Sequence, residues 1–433
     1  MTKKTRYLLL SFGFLLFLLL APLILFYVRG ITYDFASHKF VRTGILAIKT
    51  EPKDAEIYIN GELELKKSGS VRFLPTKEYE VTVRKDGYFD WSKRLPVTEG
   101  QVTWASPEPN KLYLFLKDPR ATDIASGVLD FYVGNDFLLY LSQGELVYAQ
   151  TNDLSRSENF PLPRTAASIT ASPNGQLFAL TSAAEASSPT VMIFDRGAKT
   201  ITDISNLFSS LPELKFSADN RLFALQDNIL YHVDAKQQAK TAVKEGVAAF
   251  VLRENNLYFI GPERDGKNAL FVSDLPENPA AKVLDGIPDF NKGQIFVNFE
   301  RQVLLLLDGS LYKISSGLEK LASNITAQDF DYAESSLVFF HAGELEFYNP
   351  FFHNINFINR SGSPITDPSI NLGFGNVFFI RDNRLETMEL DSRDQQNNYV
   401  LYQGTDLQKF LLGPNLIRAY VLDDGKLKVL KIR

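Results

Sequence analysis

The chain has 433 residues, 45% of them apolar and 22% charged, with a formal net charge of −5. That length provides for two or three globular domains, and the acidic balance without a long Lys/Arg cluster excludes the basic patch by which nucleic acid is held. Cysteine is absent and the four histidines, His38, His232, His341 and His353, stand in no H-E-x-x-H spacing, so thiol catalysis, disulfides and thiolate metal sites are excluded and no metal is expected.

Residues 7–28 read YLLLSFGFLLFLLLAPLILFYV, 22 residues without a charge. As a helix the run is about 33 Å long, which matches a hydrocarbon core of roughly 30 Å. It exceeds the apolar length of a cleaved signal peptide, and no A-x-A site follows. We read a single-pass signal anchor that places the chain in a lipid bilayer. Lys3, Lys4 and Arg6 precede the run and outweigh Arg29 behind it. By the positive-inside rule residues 1–6 are a cytoplasmic tail and everything after the span lies outside the cytoplasm. Residues 29–43, RGITYDFASHKFVRT, show no clear period and read as a juxtamembrane spacer.

From residue 44 the pattern changes to period two. AEIYIN (55–60) and YEVTVR (79–84) alternate as half-buried strands do. Asn60-Gly61 is a two-residue hairpin turn, because both positions tolerate positive φ, and Asp86-Gly87 reads as a second. KLYLFLK (111–117) is another strand. The segment EPKDAEIYINGELE resembles the opening of a PEGA domain, and YEVTVRKDGYFDW (79–91), after Leu74-Pro75, is similar to the middle of that family. Pro52, Lys53, Asp54 and Ala55 stand where Pro, Glu, Gly and Ala would be, so the turn lacks the family's glycine. The resemblance covers residues 44–117. It implies a small β-sandwich of surface and envelope proteins, with adhesion, spacing or ligand display as its role and no catalytic residues. Trp91 and Trp104 are the only tryptophans. Trp91 is expected in a core; Trp104, in the turn-rich EGQVTWASPEPN, is a candidate binding residue.

Residues 118–433 repeat at about forty. Strongly apolar strands recur as FLLYL (137–141), LFAL (177–180), LFAL (222–225), LYFI (257–260), VLLLL (303–307), LVFF (337–340), VFFI (377–380) and LIRAY (416–420). Each is followed by a turn and a third strand holding Leu146, Met192, Leu230, Leu270, Leu311, Leu345, Leu385 or Leu427, at spacings of 46, 38, 40, 41, 34, 40 and 42. A strand, a hairpin and a weaker outer strand at that period is a propeller blade. SPNGQLFAL (172–180) and SADNRLFAL (217–225) resemble the WD40-like repeats of TolB-type propellers. The expected architecture is all-β outside the membrane: a transmembrane helix, a small PEGA-like sandwich, and a seven- or eight-bladed β-propeller. The last unit lacks a fourth strand, and RATDIASG (120–127) resembles the outer strands elsewhere. The segment near residues 121–125 is therefore expected to pair with residues 426–432 and close the ring.

No G-x-S-x-G elbow, P-loop, dinucleotide fingerprint or EF-hand loop is present. Asp130, Asp289, Asp329 and Asp331 lie on or near first strands and are candidates for a polar, cation-binding funnel. Asp423-Asp424 reads as turn capping. We expect no catalytic residues and no cofactor. The reading is a membrane-tethered envelope scaffold whose propeller docks a protein partner; a cell-wall glycan-binding module is the alternative, and a propeller enzyme a further one. FYNPFFHNINF (347–357) holds more aromatic residues than a connector needs. Phe347, Tyr348, Phe351, Phe352 and Phe357, with Trp104, are the candidate binding surface.

Overall fold

The computed structural model describes residues 3–34, 38–106, 110–254, 256–274, 279–331 and 334–433. They form two compact units: Met1–Asp118 with Asn371–Val377 and Thr387–Leu401, and Pro119–Ile370 with Phe378–Glu386 and Tyr402–Arg433.

The first unit opens with helix α1 (Lys3–Val28), which contains Pro22. Its residues Thr5–Val28 are long and apolar enough to cross a membrane, and none of that stretch is buried against protein. Two strands follow at once, β1 (Ile31–Asp34) and β2 (Lys39–Ile48), antiparallel with Ile31 opposite Arg42 and Tyr33 opposite Phe40. Of the spacer expected over residues 29–43, residues 31–34 and 39–43 are thus corrected to sheet, and residues 35–37 lie outside the described residues. Ile31, Thr32, Tyr33, Phe40 and Val41 are β-branched or aromatic, the types that favour a pleated surface, and their pattern is short enough to escape a periodicity reading.

Strands β3 (Thr50–Glu51), β4 (Glu56–Ile59), β5 (Glu62–Leu65), β6 (Gly69–Pro75), β7 (Glu78–Arg84), β8 (Trp91–Pro96), β9 (Val102–Trp104) and β10 (Leu112–Tyr113) complete the sandwich. One sheet runs β1-β2-β6 with β9 parallel to β2; the other runs β5-β4-β7-β8. Leu46, Ile48, Ile57, Ile59, Val81, Val83 and Trp91 meet in its core. Asn60 and Gly61 have φ of 52° and 83°, the turn expected of that pair. At Asp86-Gly87 only Gly87 takes positive φ, and β8 starts at Trp91, so this turn sits inside a longer connection rather than closing a tight hairpin.

The second part of the chain builds eight four-stranded antiparallel sheets among the described residues, so the propeller has eight blades. Blade 1 comprises Asp130–Val133, Phe137–Ser142, Glu145–Gln150 and Asp153–Pro161. Seven of the eight apolar runs read from the sequence lie within second strands, the eighth (416–420) enters its second strand only at Arg418, and Leu146, Met192, Leu230, Leu270, Leu311, Leu345, Leu385 and Leu427 are all fully buried in third strands. The repeated Ser turns are equivalent too. The Ser172 hydroxyl accepts the Gln176 and Leu177 amides, and the Ser217 hydroxyl accepts the Arg221 amide.

The ring closes as expected. Strand β11 (Ala121–Ser126) is the outer strand of blade 8, pairing Ala121 with Leu430, Thr122 with Val429 and Ala125 with Leu427. Val128, Phe131, Leu138, Tyr420, Leu422 and Leu427 form the apolar cluster at this junction. Closure removes the free edges that template aggregation.

Candidate functional site

The third strand of blade 6, Glu344–Asn349, turns into the fourth, Asn354–Arg360, through Pro350, Phe351, Phe352 and His353. The Asn349 side-chain oxygen accepts the amides of Phe351 and Phe352 at 2.9 and 3.2 Å, a local Asn-stabilised turn. That turn directs two phenylalanines outward, Phe351 63% and Phe352 76% exposed. Phe299, at the tip of the blade 5 turn between Gly293–Val297 and Val303–Leu307, adds a third ring 5.6 Å from that of Phe351.

A polar frame holds the patch. The Tyr348 hydroxyl and the His353 ring Nδ1 both lie on the Gln302 side-chain oxygen, at 2.5 and 2.9 Å. His353 Nε2 is 3.3 Å from Glu300, and Lys313 donates to the His353 carbonyl at 3.3 Å. The Phe299 amide donates to the Ser335 hydroxyl at 3.0 Å. Exposed rings on immobilised turns lose little entropy when covered, a property of good docking residues.

The structure sorts the candidate residues. Phe351, Phe352 and Phe357 are exposed. Phe347 and Tyr348 are corrected to core: 8% and 1% exposed, they are buried on opposite faces of the third strand, and burial pushes the Tyr348 phenol up to about 12. Trp104 lies on β9 in the first unit, half-buried, with Lys49 Nζ 4.9 Å above its ring and its carbonyl accepting from Arg393. Phe299 was missed; its signal was an aromatic residue at a turn where a polar one is the norm.

The first-strand acids have structural bonds. The Asp130 carboxylate accepts the Ile169 amide of the next blade at 2.7 Å and pairs with Lys409 at 2.7 Å, and Lys409 also donates to the Phe131 carbonyl. Asp367 accepts the Phe410 amide at 3.0 Å, and Lys215 donates to the Phe250 carbonyl at 2.5 Å. Asp329 is hydrogen-bonded to Ser369; burial, with Asp367 and Asp331 adding like charge, pushes its carboxyl up to about 6. Side chains on first strands therefore link blade 1 to 2, 3 to 4, 6 to 7, 7 to 8 and 8 to 1. Asp289 instead accepts from Asn268, and Asp331 from the Glu334 amide. Beside these strands lies an open cavity of about 880 Å³ whose lining includes Glu213, Gln294, Gln328, Asp367 and Lys409. Asp423 is buried and accepts the Thr405 and Asp406 amides, which is turn capping. Among the described residues His341, Glu344 and Glu346 bring possible ligand atoms within 4.8 Å of one another, although Arg360 pairs with Glu344 at 2.8 Å.

In the first unit a second polar centre surrounds a fully buried lysine. The Lys93 side chain is 0% exposed and bonds Glu389, the Asp391 carbonyl at 2.7 Å and the Asp391 carboxylate at 3.3 Å. Trp91 Nε1 donates to Glu389 at 2.7 Å, and Tyr399 stacks on Phe89 at 4.8 Å. Burial pushes the Glu389 carboxyl up, though Lys93 pulls the other way.

This two-sheet unit, with its Asn-Gly hairpin and buried Trp91, can be set against known families. Residues 43–111 match the PEGA domain. The PEGA domain thus spans β2 to β9, and β1 and α1 precede it. No curated protein matches the chain. Among solved structures the Dos1 propeller aligns over 72% of this chain and 95% of its own at 7% identity, TM-score 0.50. A eukaryotic initiation factor structure aligns over 72% and 86% at 11% identity, TM-score 0.49. Dipeptidyl peptidase 4 of Porphyromonas gingivalis aligns over 70% and 56% at 12% identity, TM-score 0.49. The Dos1 likeness shows the propeller fold.

Proposed function

We propose that the protein is a non-catalytic scaffold, anchored in the membrane by α1, that holds its PEGA domain and propeller outside the cytoplasm and docks a protein partner on the Phe299–Phe351–Phe352 patch. The patch carries the reading: three exposed rings on two turns that are pinned by Gln302, Asn349 and Ser335. A scaffold role is favoured because Asp130 and Asp367 are engaged with amides of the adjoining blade. The outside location draws on Lys3, Lys4 and Arg6 ahead of the span and on the extracellular or periplasmic setting typical of PEGA domains.

The test is site-specific photo-crosslinking of the full-length protein in its native membrane. A photoreactive residue at Phe352 should give a discrete protein adduct that is lost in Phe351→Ser, while one at the exposed Glu185 gives none. Retention on purified cell-wall glycan that depends on Phe351 and Phe352, with no protein adduct, would replace the protein partner by a glycan.

A further inference from the structure

The junction between α1 and the β-sandwich carries an unusual set of aromatic residues. Chain continuity there is tight. The Gly30 amide bonds the Tyr27 carbonyl at 3.1 Å, and the Gly30 carbonyl accepts both the Thr43 amide at 2.8 Å and the Thr43 hydroxyl at 2.6 Å. The helix is therefore hydrogen-bonded straight into the sheet.

Three rings of the sheet meet the last helical turn or one another. Phe40 lies 5.3 Å from Phe26, Phe73 lies 5.0 Å from Tyr27, and Tyr33 lies 5.2 Å from Phe40, centroid to centroid. Yet the sheet rings are not buried: Phe40 is 63% exposed, and Tyr33 and Phe73 are also exposed. Phe73 has φ of +61°, a left-handed conformation that a bulky residue adopts only at a cost and that Gly or Asn adopts readily. It sits where the β2–β6 register shifts between Gly44 and Leu46. Strain at an exposed aromatic residue argues for a use of its position.

Depth follows from length. The apolar run of about 33 Å fills a hydrocarbon core of about 30 Å, so Phe26 and Tyr27, at its end, stand at the headgroup level. Rings in contact with them stand at the same level, because no water layer fits between. Trp and Tyr concentrate in this zone, where one face is apolar and the other wet. Arg29, Lys39 and Arg42 outnumber Asp34 in residues 29–43, and Arg72 adjoins Phe73. Arg42 pairs with Glu99 at 2.8 Å, which leaves Arg29, Lys39 and Arg72 facing solvent. Basic side chains beside the membrane attract anionic headgroups.

We propose that this edge of the sandwich, Tyr33, Phe40 and Phe73, is seated in the interface of the leaflet from which α1 emerges, with Arg29, Lys39 and Arg72 on lipid phosphates. The PEGA domain is then fixed against the bilayer rather than hung from it on a spacer. The inference rests on α1 being a membrane span.

The absence of cysteine makes the test direct. Leu15→Cys, Phe40→Cys, Phe73→Cys and Asp86→Cys are each introduced singly into the full-length protein, nitroxide-labelled and reconstituted in vesicles containing phosphatidylglycerol. Spin-label relaxation by oxygen, which partitions into lipid, is compared with relaxation by a water-soluble nickel chelate. Leu15 reports the span. Asp86, in a turn ringed by Asp54, Lys85 and Asp90, reports water. Labels at 40 and 73 are expected to show an oxygen-to-nickel ratio several-fold above that at 86 and below that at 15. A lipid-like ratio at 15 with water-like ratios at 40 and 73 overturns the seating alone. Labels at 40 and 73 shielded from both reagents mean a protein cover and also overturn it. A water-like ratio at 15 removes the span and the seating together.

Discussion

Lys93 is the most informative position for perturbation. It is the cation of a buried cluster in which Glu389 has no other positive partner among the described residues, whereas Asp391 keeps Arg393 at 2.8 Å. Lys93→Met preserves the length of the side chain and removes the charge. Glu389 then stays buried with hydrogen bonds from Trp91 and Asn397 but no counter-ion. Removing one partner of a buried pair costs about 3–5 kcal/mol. The loss should depend on pH, with a sign set by Glu389. Its folded-state pKa is raised above the ordinary value by burial, so its neutral form is favoured on folding; that contribution is present at low pH and lost as pH rises through the folded value. Without Lys93 the rise is larger, so the variant's deficit relative to wild type shrinks on acidification, by at most about 1.4 kcal/mol per pH unit. The assay is thermal unfolding of the detergent-solubilised full-length protein between pH 5 and 8, with hydrogen exchange over residues 78–104 and 387–401 as the local readout. Adding Glu389→Gln should restore most of the stability at pH 8, since Gln still accepts the Trp91 N–H and carries no charge. A deficit below about 1 kcal/mol, or one that does not change with pH, would refute this account of the cluster.

Other outcomes follow from the propeller. Asp329 rises from 3.8 to about 6 on folding, so the stability it contributes is present below pH 3.8 and is lost as pH passes 6; Asp329→Asn should raise the melting temperature at pH 7.5, by the equivalent of ~1–2 kcal/mol after solvent screening, and should give no gain at pH 4. Leu427→Ala opens the closure cluster and should cost about 2–5 kcal/mol; hydrogen exchange in residues 121–126 should then quicken more than in any other outer strand. Phe351→Ser should leave unfolding within about 0.5 kcal/mol of wild type while abolishing the adduct formed from position 352. Tyr348→Phe, which removes the donor to Gln302, should cost about 1 kcal/mol and weaken the adduct without touching an exposed ring.

The comparison of sequence and structure divides by the range of the interaction. Blade number and phase were legible because each blade repeats the same local demands: an apolar second strand, a Gly/Asp/Asn turn, and one third-strand residue that must be buried. Leu146 and Leu427 satisfy the same rule 281 positions apart. Closure was legible for a related reason, since residues 121–126 have the outer-strand pattern, and they pair with the third strand of blade 8. In the aromatic run, composition marked the right turn. It could not separate Phe347 and Tyr348, which are buried on the third strand, from Phe351 and Phe352, which are exposed, because a turn breaks the period-two register that assigns faces. Phe299 joins them only through the juxtaposition of two blades.

Local patterning by itself determined an apolar helix of membrane length, a β-sandwich with an Asn-Gly hairpin, and a forty-residue repeat, because each is written in neighbours a few positions apart. Tertiary structure decided which distant side chains meet. Trp91 and Glu389 are 298 positions apart, and neither residue type announces the other. Of the acids that by sequence suit a cation funnel, Asp130 is spent on an amide of the adjoining blade, Asp329 on Ser369, Asp289 on Asn268 and Asp331 on the Glu334 amide. The rings at positions 40 and 73 meet the helix only once the sheet has folded. A side chain's role depends on which groups desolvate it and which satisfy it, and those groups are chosen by the path of the chain in space.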